Sequence, residues 1–362
     1  MTDPPIFDLP ENLKNVARYM WSVFCEATNF QEINRTDGPI RIHKKGAFPI
    51  SESFEDLLNG NIEAVADKYD LPEGLHTFRE MEPIACAFYL LNSLHEHLLP
   101  PNKTDKYGRY PYEESIQYRQ NIVEENLVQS IFDQHYALLT GQSPRKSDSR
   151  IFWTHDIDYL YSAWKHDLIV AARNPLCQGL SGIWNAVTKP SRWNNIIEMI
   201  ELENKFGIRS VYFWLAQRGK VAISKDIKID HADYRINSEV IKMYWKKVSE
   251  TGSFNGLHKS GFNSEVGAEI ALLPHPVHIN RHHFLKFRIP DLYDHIEKSG
   301  LSYDASLGFA EQYGFRNSFG RPFKPYNLHK NRPYRFVEYP LHLMDATFIH
   351  YMGMDEGSML HS

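Results

Sequence analysis

Residues 151–158 read IFWTHDID, a short apolar run that ends with three ionisable side chains in five positions. Side chains of a strand alternate between faces, so Thr154, Asp156 and Asp158 share one face while His155 and Ile157 share the other. Two carboxylates therefore point the same way. In a partly dry setting their repulsion raises at least one pKa unless an arginine or a metal compensates, and a cation is the simplest remedy. The alternative for Asp158 is the ordinary one for Asp before a helix, an N-cap on a helix starting near Tyr159. The two roles can coexist.

The same placement recurs in FNGLHKSGFNS (254–264), where His258 ends a short strand just before a Ser/Gly/Asn turn. A neutral imidazole there suits zinc. Among 18 histidines a lone one is more often a hydrogen-bonded structural residue, and only the strand-end position makes His258 a candidate. In NRHHF (280–284), Arg281 and His283 share a face and His282 takes the other. If these strands form one parallel layer, Asp156, Asp158, His258, Arg281 and His283 gather at its C-terminal edge, where α/β folds place their sites.

The layer is expected from the alternation of segments. RIFWTHDID, a helix over 191–206, RSVYFWLA (209–216), a helix over 237–251, FNGLHKS and VHINRHHF (277–284) read as β, α, β, α, β, β. A helix over 289–299 and strands in LSYDASLGF (301–309) and RFVEYPLHL (335–343) continue the pattern, which favours parallel strands with crossover helices. The expected fold is an α/β barrel, although an open doubly wound sheet writes much the same sequence. The polar stretch TGQSPRKSDSR (140–150) marks a boundary, giving a small α+β domain over 1–145 and a barrel domain over 146–362. The first should hold helices over 13–26, 84–99 and 114–139 and a strand pair within 31–50, and its DKYGRYPYEES (105–115) reads as a turn leading into a helix.

Composition narrows the function classes. A chain of 362 residues, 42% hydrophobic and 23% charged, can bury a sizeable core. A net charge of -5 with dispersed Lys and Arg leaves no electrostatic footprint for nucleic acid or an anionic membrane. Three separated cysteines, Cys25, Cys86 and Cys177, indicate neither a disulfide framework nor a zinc knuckle. The acidic, proline-broken start MTDPPIFDLPENLKN lacks the features of a signal peptide, and no run of about 18 apolar residues follows, so a cytoplasmic protein is expected.

These residues resemble the polysaccharide deacetylases, the family four carbohydrate esterases, in the branch whose first motif reads THDVD; here it stands as THDID. The resemblance runs from FGIRSVYFWLA through NGLHKSGFNS and NRHHFLKF to YDASLGFAEQYGFR and VEYPLHLMDATF, most of residues 150–350, and AFYLLNSLHEHL with DKYGRYPYEES resembles the extra N-terminal domain of that branch. It implies a distorted (β/α) barrel of seven or so strands and metal-assisted removal of acetyl groups from sugars, usually with zinc. Carried over by position, Asp156 is the general base, Asp158 and His258 bind a divalent metal, and Arg281 keeps Asp156 ionised and oriented through charge-assisted hydrogen bonds. A structural ion pair is the alternative for Arg281.

Two departures stand out. The family's second motif carries another histidine four residues after the first, where this chain has Phe262. A catalytic zinc generally has three protein ligands and an open position, so strand parity makes His283 the third. The family's late Trp-His pair, which supplies the general acid, is not visible before Ser362. An incomplete chain, with too few strands to close the barrel, is the expectation; His342 as the acid and lost catalysis are the alternatives.

The expected function is a metal-dependent deacetylase acting on an N- or O-acetylated oligosaccharide or polysaccharide precursor. The competing reading is a catalytically degenerate relative serving as a glycan-binding or scaffold protein. A metal-free cyclic-amide hydrolase is a third, disfavoured by the pairing of Asp158 with His258. Trp153, Tyr159, Trp164 and Trp214 are candidates for sugar stacking, against the ordinary role of aromatics in core packing.

Overall fold

The computed structural model describes residues 5–30, 39–63, 83–144, 148–173, 179–189, 193–354 and 358. The chain divides into two compact units: Met1–Asp148 with Phe287–Glu297 and Ser302–Ser362, and Ser149–Lys286 with Lys298–Leu301.

The first unit opens with β1 (Ile6–Phe7), which pairs in parallel with β2 (Arg41–Ile42). β2 is the part of the 31–50 strand pair that forms, and residues 31–38 lie outside the described residues. Helix Glu11–Thr28 buries Leu13, Val16, Met20 and Phe24 at helical spacing and stops at Asn29, whose left-handed φ of 52° suits an Asn cap. The helix expected over 84–99 becomes Pro83–Leu91 followed by a tighter turn, Leu94–Leu98, because Ser93 is left-handed at φ 50°. Asn121, at φ 51°, likewise separates Ile116–Arg119 from Leu127–Thr140.

The second unit carries β3 (Trp153–Ile157), β4 (Ser210–Leu215), β5 (Lys220–Ala222), β6 (Lys228–Asp230), β7 (Phe254–Lys259) and β8 (Ile279–His282). Four of them run parallel in the order β8-β7-β4-β3, with β3 at the edge, and β5 and β6 form an antiparallel hairpin. Helices Ile196–Phe206 and Glu239–Glu250 are the crossovers on either side of β4. β4 is buried along its whole length, and Tyr212, Phe213 and Trp214 form the centre of this unit's core. Trp214 donates its indole N–H to Asn255 Oδ1 at 2.8 Å and packs against Trp245, so it is a core residue and not a stacking platform. Trp153 begins β3, at the end of the strand opposite Asp158.

After Ser302 the chain belongs to the first unit, where β9 (Tyr303–Asp304) pairs in parallel with β12 (Val337–Glu338), and β10 (Tyr326–Asn327) with β11 (Arg332–Pro333) makes a hairpin. Residues 302–362 thus fall with the first unit, and among the described residues the four parallel strands of the second unit form an open sheet. The reason is where the last segment finds its partners. Arg316 is buried and forms a two-pronged ion pair with buried Glu96, Nε to Oε1 at 2.8 Å and Nη2 to Oε2 at 2.7 Å, beneath the rings of Phe287, Tyr110 and Phe309. Phe315 N–H donates to the Val123 carbonyl at 2.6 Å, and Tyr326 N–H to Asn92 Oδ1 at 2.7 Å. Gly314, at φ 115°, lies so close to the Val123 carbonyl that a Cβ would collide with it.

Removing one member of a buried pair leaves the other charge stranded, which costs about 3–5 kcal/mol. Glu96→Ala is therefore expected to lower the free energy of unfolding by that amount in urea titration, and a loss below about 1 kcal/mol would mean the pair is solvated.

Candidate metal centre

The three ionisable residues of THDID separate by strand parity. His155 points to one face, where its Nε2 lies 2.7 Å from Glu203 of helix Ile196–Phe206. Glu203 also accepts from the hydroxyls of Ser210 and Tyr212, and although burial opposes ionisation, these hydrogen bonds hold its carboxyl below the usual range. His155 therefore ties β3 to a crossover helix. Thr154 and Asp156 point to the other face, where Arg281 Nη1 donates to Thr154 Oγ1 at 2.7 Å and to Asp156 Oδ1 at 3.0 Å.

Register explains why Arg281 arrives there. Across β7 and β8, His258 stands opposite Arg281, so the two share a face; across β3 and β4, Asp156 stands opposite Phe213. The Arg281 guanidinium lies 4.7 Å from the centre of the Phe213 ring, and Gly256 of β7 provides the space for that ring. A Cβ at Gly256 would come within 2.7 Å of the Phe213 ring and 2.9 Å of Ile279.

Asp158, His258 and His283 converge just past the strand ends, with one donor atom from each lying within 4.8 Å of the others. His258 Nδ1 is 2.9 Å from the Arg281 carbonyl, which assigns its proton to Nδ1 and leaves Nε2 facing Asp158 Oδ1 at 3.3 Å and Asp156 Oδ2 at 3.8 Å. His283 Nε2 is 3.5 Å from Asp158 Oδ2. Burial disfavours the His258 imidazolium, yet the carboxylates of Asp156 and Asp158 outweigh it and raise the pKa. Burial also opposes ionisation of Asp158, but His283 and His258 beside it draw its pKa down. Asp158 does not cap a helix: the next helix starts at Ala163, and the amides of Leu160 and Tyr161 donate instead to Asp233 at 2.8 and 2.7 Å.

Whether this trio suits a cation can be judged from its loose ends. Asp158 Oδ1 and both ring nitrogens of His283 are buried without a hydrogen-bond partner. Buried polar atoms are rarely left so, and each specific orphan calls for an occupant. Two imidazoles and one carboxylate are the donor set of a catalytic zinc site with an open position. Both histidines are almost fully buried while the carboxylates keep 24% and 32% of their side-chain surface, so access is over Asp156 and Asp158.

His283 is aimed by backbone that departs from the strand. Phe284 and Leu285 follow it at φ 59° and 49°, left-handed values that cost non-glycine residues about 1–2 kcal/mol each. The turn places the His283 ring 4.9 Å from that of His258 and 5.2 Å from that of His231.

The sequence reading missed the segment 231–234, HADY, which clamps the loops carrying the site. His231 Nε2 accepts the Gly261 N–H at 2.8 Å, Asp233 holds the Leu160 and Tyr161 amides, and the Tyr234 hydroxyl accepts from Leu215 N–H at 2.9 Å and donates to the Ile157 carbonyl at 2.5 Å. Burial keeps His231 neutral, lowering its pKa to about 4. No metal-ligand spacing marks this segment; its one signal is four hydrogen-bonding or small residues next to an unassigned hairpin. On β7, buried Lys259 pairs with buried Glu269 at 2.7 Å, and Glu269 also accepts from Ser260 and Ser264, which fixes the turn after His258. Of the residues singled out from sequence, Asp156, Asp158, His258, Arg281 and His283 come together. His342 lies in the first unit, its Nε2 3.3 Å from the Phe319 carbonyl and its pKa lowered by burial.

His283→Ala is expected to abolish stoichiometric zinc binding measured by elemental mass spectrometry, as His258→Ala is; unchanged zinc in either variant excludes this donor set. Tyr234→Phe strips partners from two buried backbone groups and is expected to cost about 1–3 kcal/mol, read by thermal unfolding.

A family model described as "Family of unknown function (DUF7033)" matches residues 24–144, ahead of every residue of this centre. No curated protein and no solved structure matches the chain.

Proposed function

We propose that the chain is a metal-dependent hydrolase that removes acetyl groups, N- or O-linked, from an amino sugar or polysaccharide precursor. The observation that carries this reading is the pairing of two different carboxylates at one strand end. Asp158 joins His258 and His283 in a cation-shaped donor set, and Asp156 stands beside it held by Arg281. The nature of the acyl group and the sugar comes from the motif resemblance.

Asp158, His258 and His283 would hold a divalent ion, with zinc preferred by two nitrogen donors and one oxygen. Such an ion supplies a Lewis acid that polarises a carbonyl and acidifies water. The chain's own residues do the rest. Arg281 occupies Asp156 Oδ1, which fixes the carboxylate plane and leaves Oδ2 turned towards the donor set. Asp156 is then placed to accept the proton of the attacking water as the new C–O bond forms. The same proton passes from Asp156 to the leaving nitrogen or oxygen as the acyl bond breaks, so the cycle closes with the deacetylated sugar and acetic acid, whose remaining proton goes to solvent or to the freed amine, and calls on no second titratable side chain. Thr154, bound to the same guanidinium, limits rotation of Arg281.

The zinc-loaded protein is expected to release acetate from acetylated amino-sugar oligomers. Asp156→Asn should lower the rate by about 10²–10⁴ while zinc content stays at the wild-type level. A protein that binds these oligomers with full zinc occupancy and releases no acetate is instead the glycan-binding relative.

A further inference from the structure

A second feature of the same unit stands outside this chemistry. Residues 159–162 join Asp158 to a helical hairpin, Ala163–Arg173 and Gly179–Thr188, whose helices pack against each other. In the first helix Ala163, Asp167 and Ala171 are buried at four-residue spacing, so the opposite side should be polar. Yet Trp164 and Leu168 beside that stripe and Ile169 opposite it are all exposed. In the second helix Ile183, Trp184 and Val187 are exposed, Trp184 at 68% and Val187 at 74%. Six large apolar side chains exposed on one short hairpin are the kind of surface that marks an interaction site.

The net charge of -5 gives the whole chain no footprint for an anionic surface, but the charge of this hairpin taken alone identifies what covers it. Between Ala163 and Lys189 the sequence has three full positive charges, Lys165, Arg173 and Lys189, against one negative charge, and that residue, Asp167, is buried. Lys165 and Lys189 are exposed, and Lys165 Nζ lies 5.6 Å from the Trp164 ring, a basic head beside an interfacial aromatic. Exposed Trp, Ile and Leu flanked by lysines and lacking exposed acid are complementary to an anionic lipid surface. The helices, 11 and 10 residues long, extend only about 16 Å each at 1.5 Å per residue, too short for a hydrocarbon core of about 30 Å. Among the described residues no helix is long and apolar enough to cross a membrane. We infer that this hairpin lies in the surface of an anionic bilayer with Trp164, Ile183, Trp184 and Val187 in the acyl boundary. Asp158 is then held next to the lipid surface by the short connection.

The test is flotation of the full-length, zinc-loaded protein with phosphatidylglycerol vesicles and with phosphatidylcholine vesicles. The protein should float with the first and not the second, and Trp184→Asp should weaken partition by at least about tenfold with zinc content retained. Lys165→Ala and Lys189→Ala should each weaken it roughly fivefold; this pair also decides the matter if Trp184→Asp does not fold. No flotation with phosphatidylglycerol, or equal flotation with both vesicles, overturns the inference. So does a dimer in analytical ultracentrifugation that Trp184→Asp dissociates without any flotation, since the occupant is then a second copy of the chain.

Discussion

Asp156 and Asp158 leave one edge strand two residues apart on the same face, and the second unit is arranged around offsetting their mutual repulsion. Two carboxylates at this spacing cannot both ionise in a partly dry site without compensating positive charge. The fold supplies that charge asymmetrically. Asp156 receives a permanent cation, because a guanidinium is not deprotonated in proteins. Asp158 faces two imidazoles, which can either carry protons or offer lone pairs. One carboxylate is thereby oriented by an ion pair. The other sits against two imidazoles that could offer lone pairs to a metal cation.

That asymmetry depends on packing well below the site. Arg281 is held against Phe213, Phe213 fits only because β7 has a glycine at 256, and Ile279 closes the same space from β8. Phe213 is also opposite Asp156 in the register, so a single aromatic ring underlies both the anion and its cation. A methyl group added at Gly256 would push on all of them. It is on this level, and not in the site residues, that the orientation of Asp156 is determined.

Strand parity made the gathered residues legible from sequence: alternation along β3 puts Asp156 with Asp158, and alternation through NRHH puts Arg281 with His283. It works because the facing strands are parallel and in register at their C-terminal ends. What parity does not carry is the partner of a turn. The β5–β6 hairpin and the HADY clamp act through backbone amides of loops remote in sequence, and nothing in local composition says which loop a hydroxyl or imidazole will hold. The last segment shows the same limit. YDASLGF and VEYPLHL have a strand-like rhythm and form β9 and β12, but the rhythm does not say which unit they join; the residues around them, Arg316 on Glu96 among them, lie in the first. His342 belongs to the same unit as that segment.

Phe262 is the residue where the chain departs from its resemblance, and the structure gives that departure a physical sense. The Phe262 ring packs 4.6 Å from the His231 ring, and His231 in turn lies edge-on to His283. A histidine at 262 would place a third polar ring into this stack, where Nε2 of His231 is already used by the Gly261 amide. An apolar ring there instead leaves His231 desolvated and neutral, so it adds no positive charge beside the cation-shaped trio. On the proposed reading the third ligand, and second nitrogen donor, comes from the end of β8 and not from the loop after β7. Phe284 and Leu285 follow it in a left-handed turn that a strand would not adopt without tertiary support. On that reading Phe262 and His283 belong to one arrangement: the Phe262 ring packs on the His231 that holds the Gly261 amide, and His283 faces Asp158 from the end of β8.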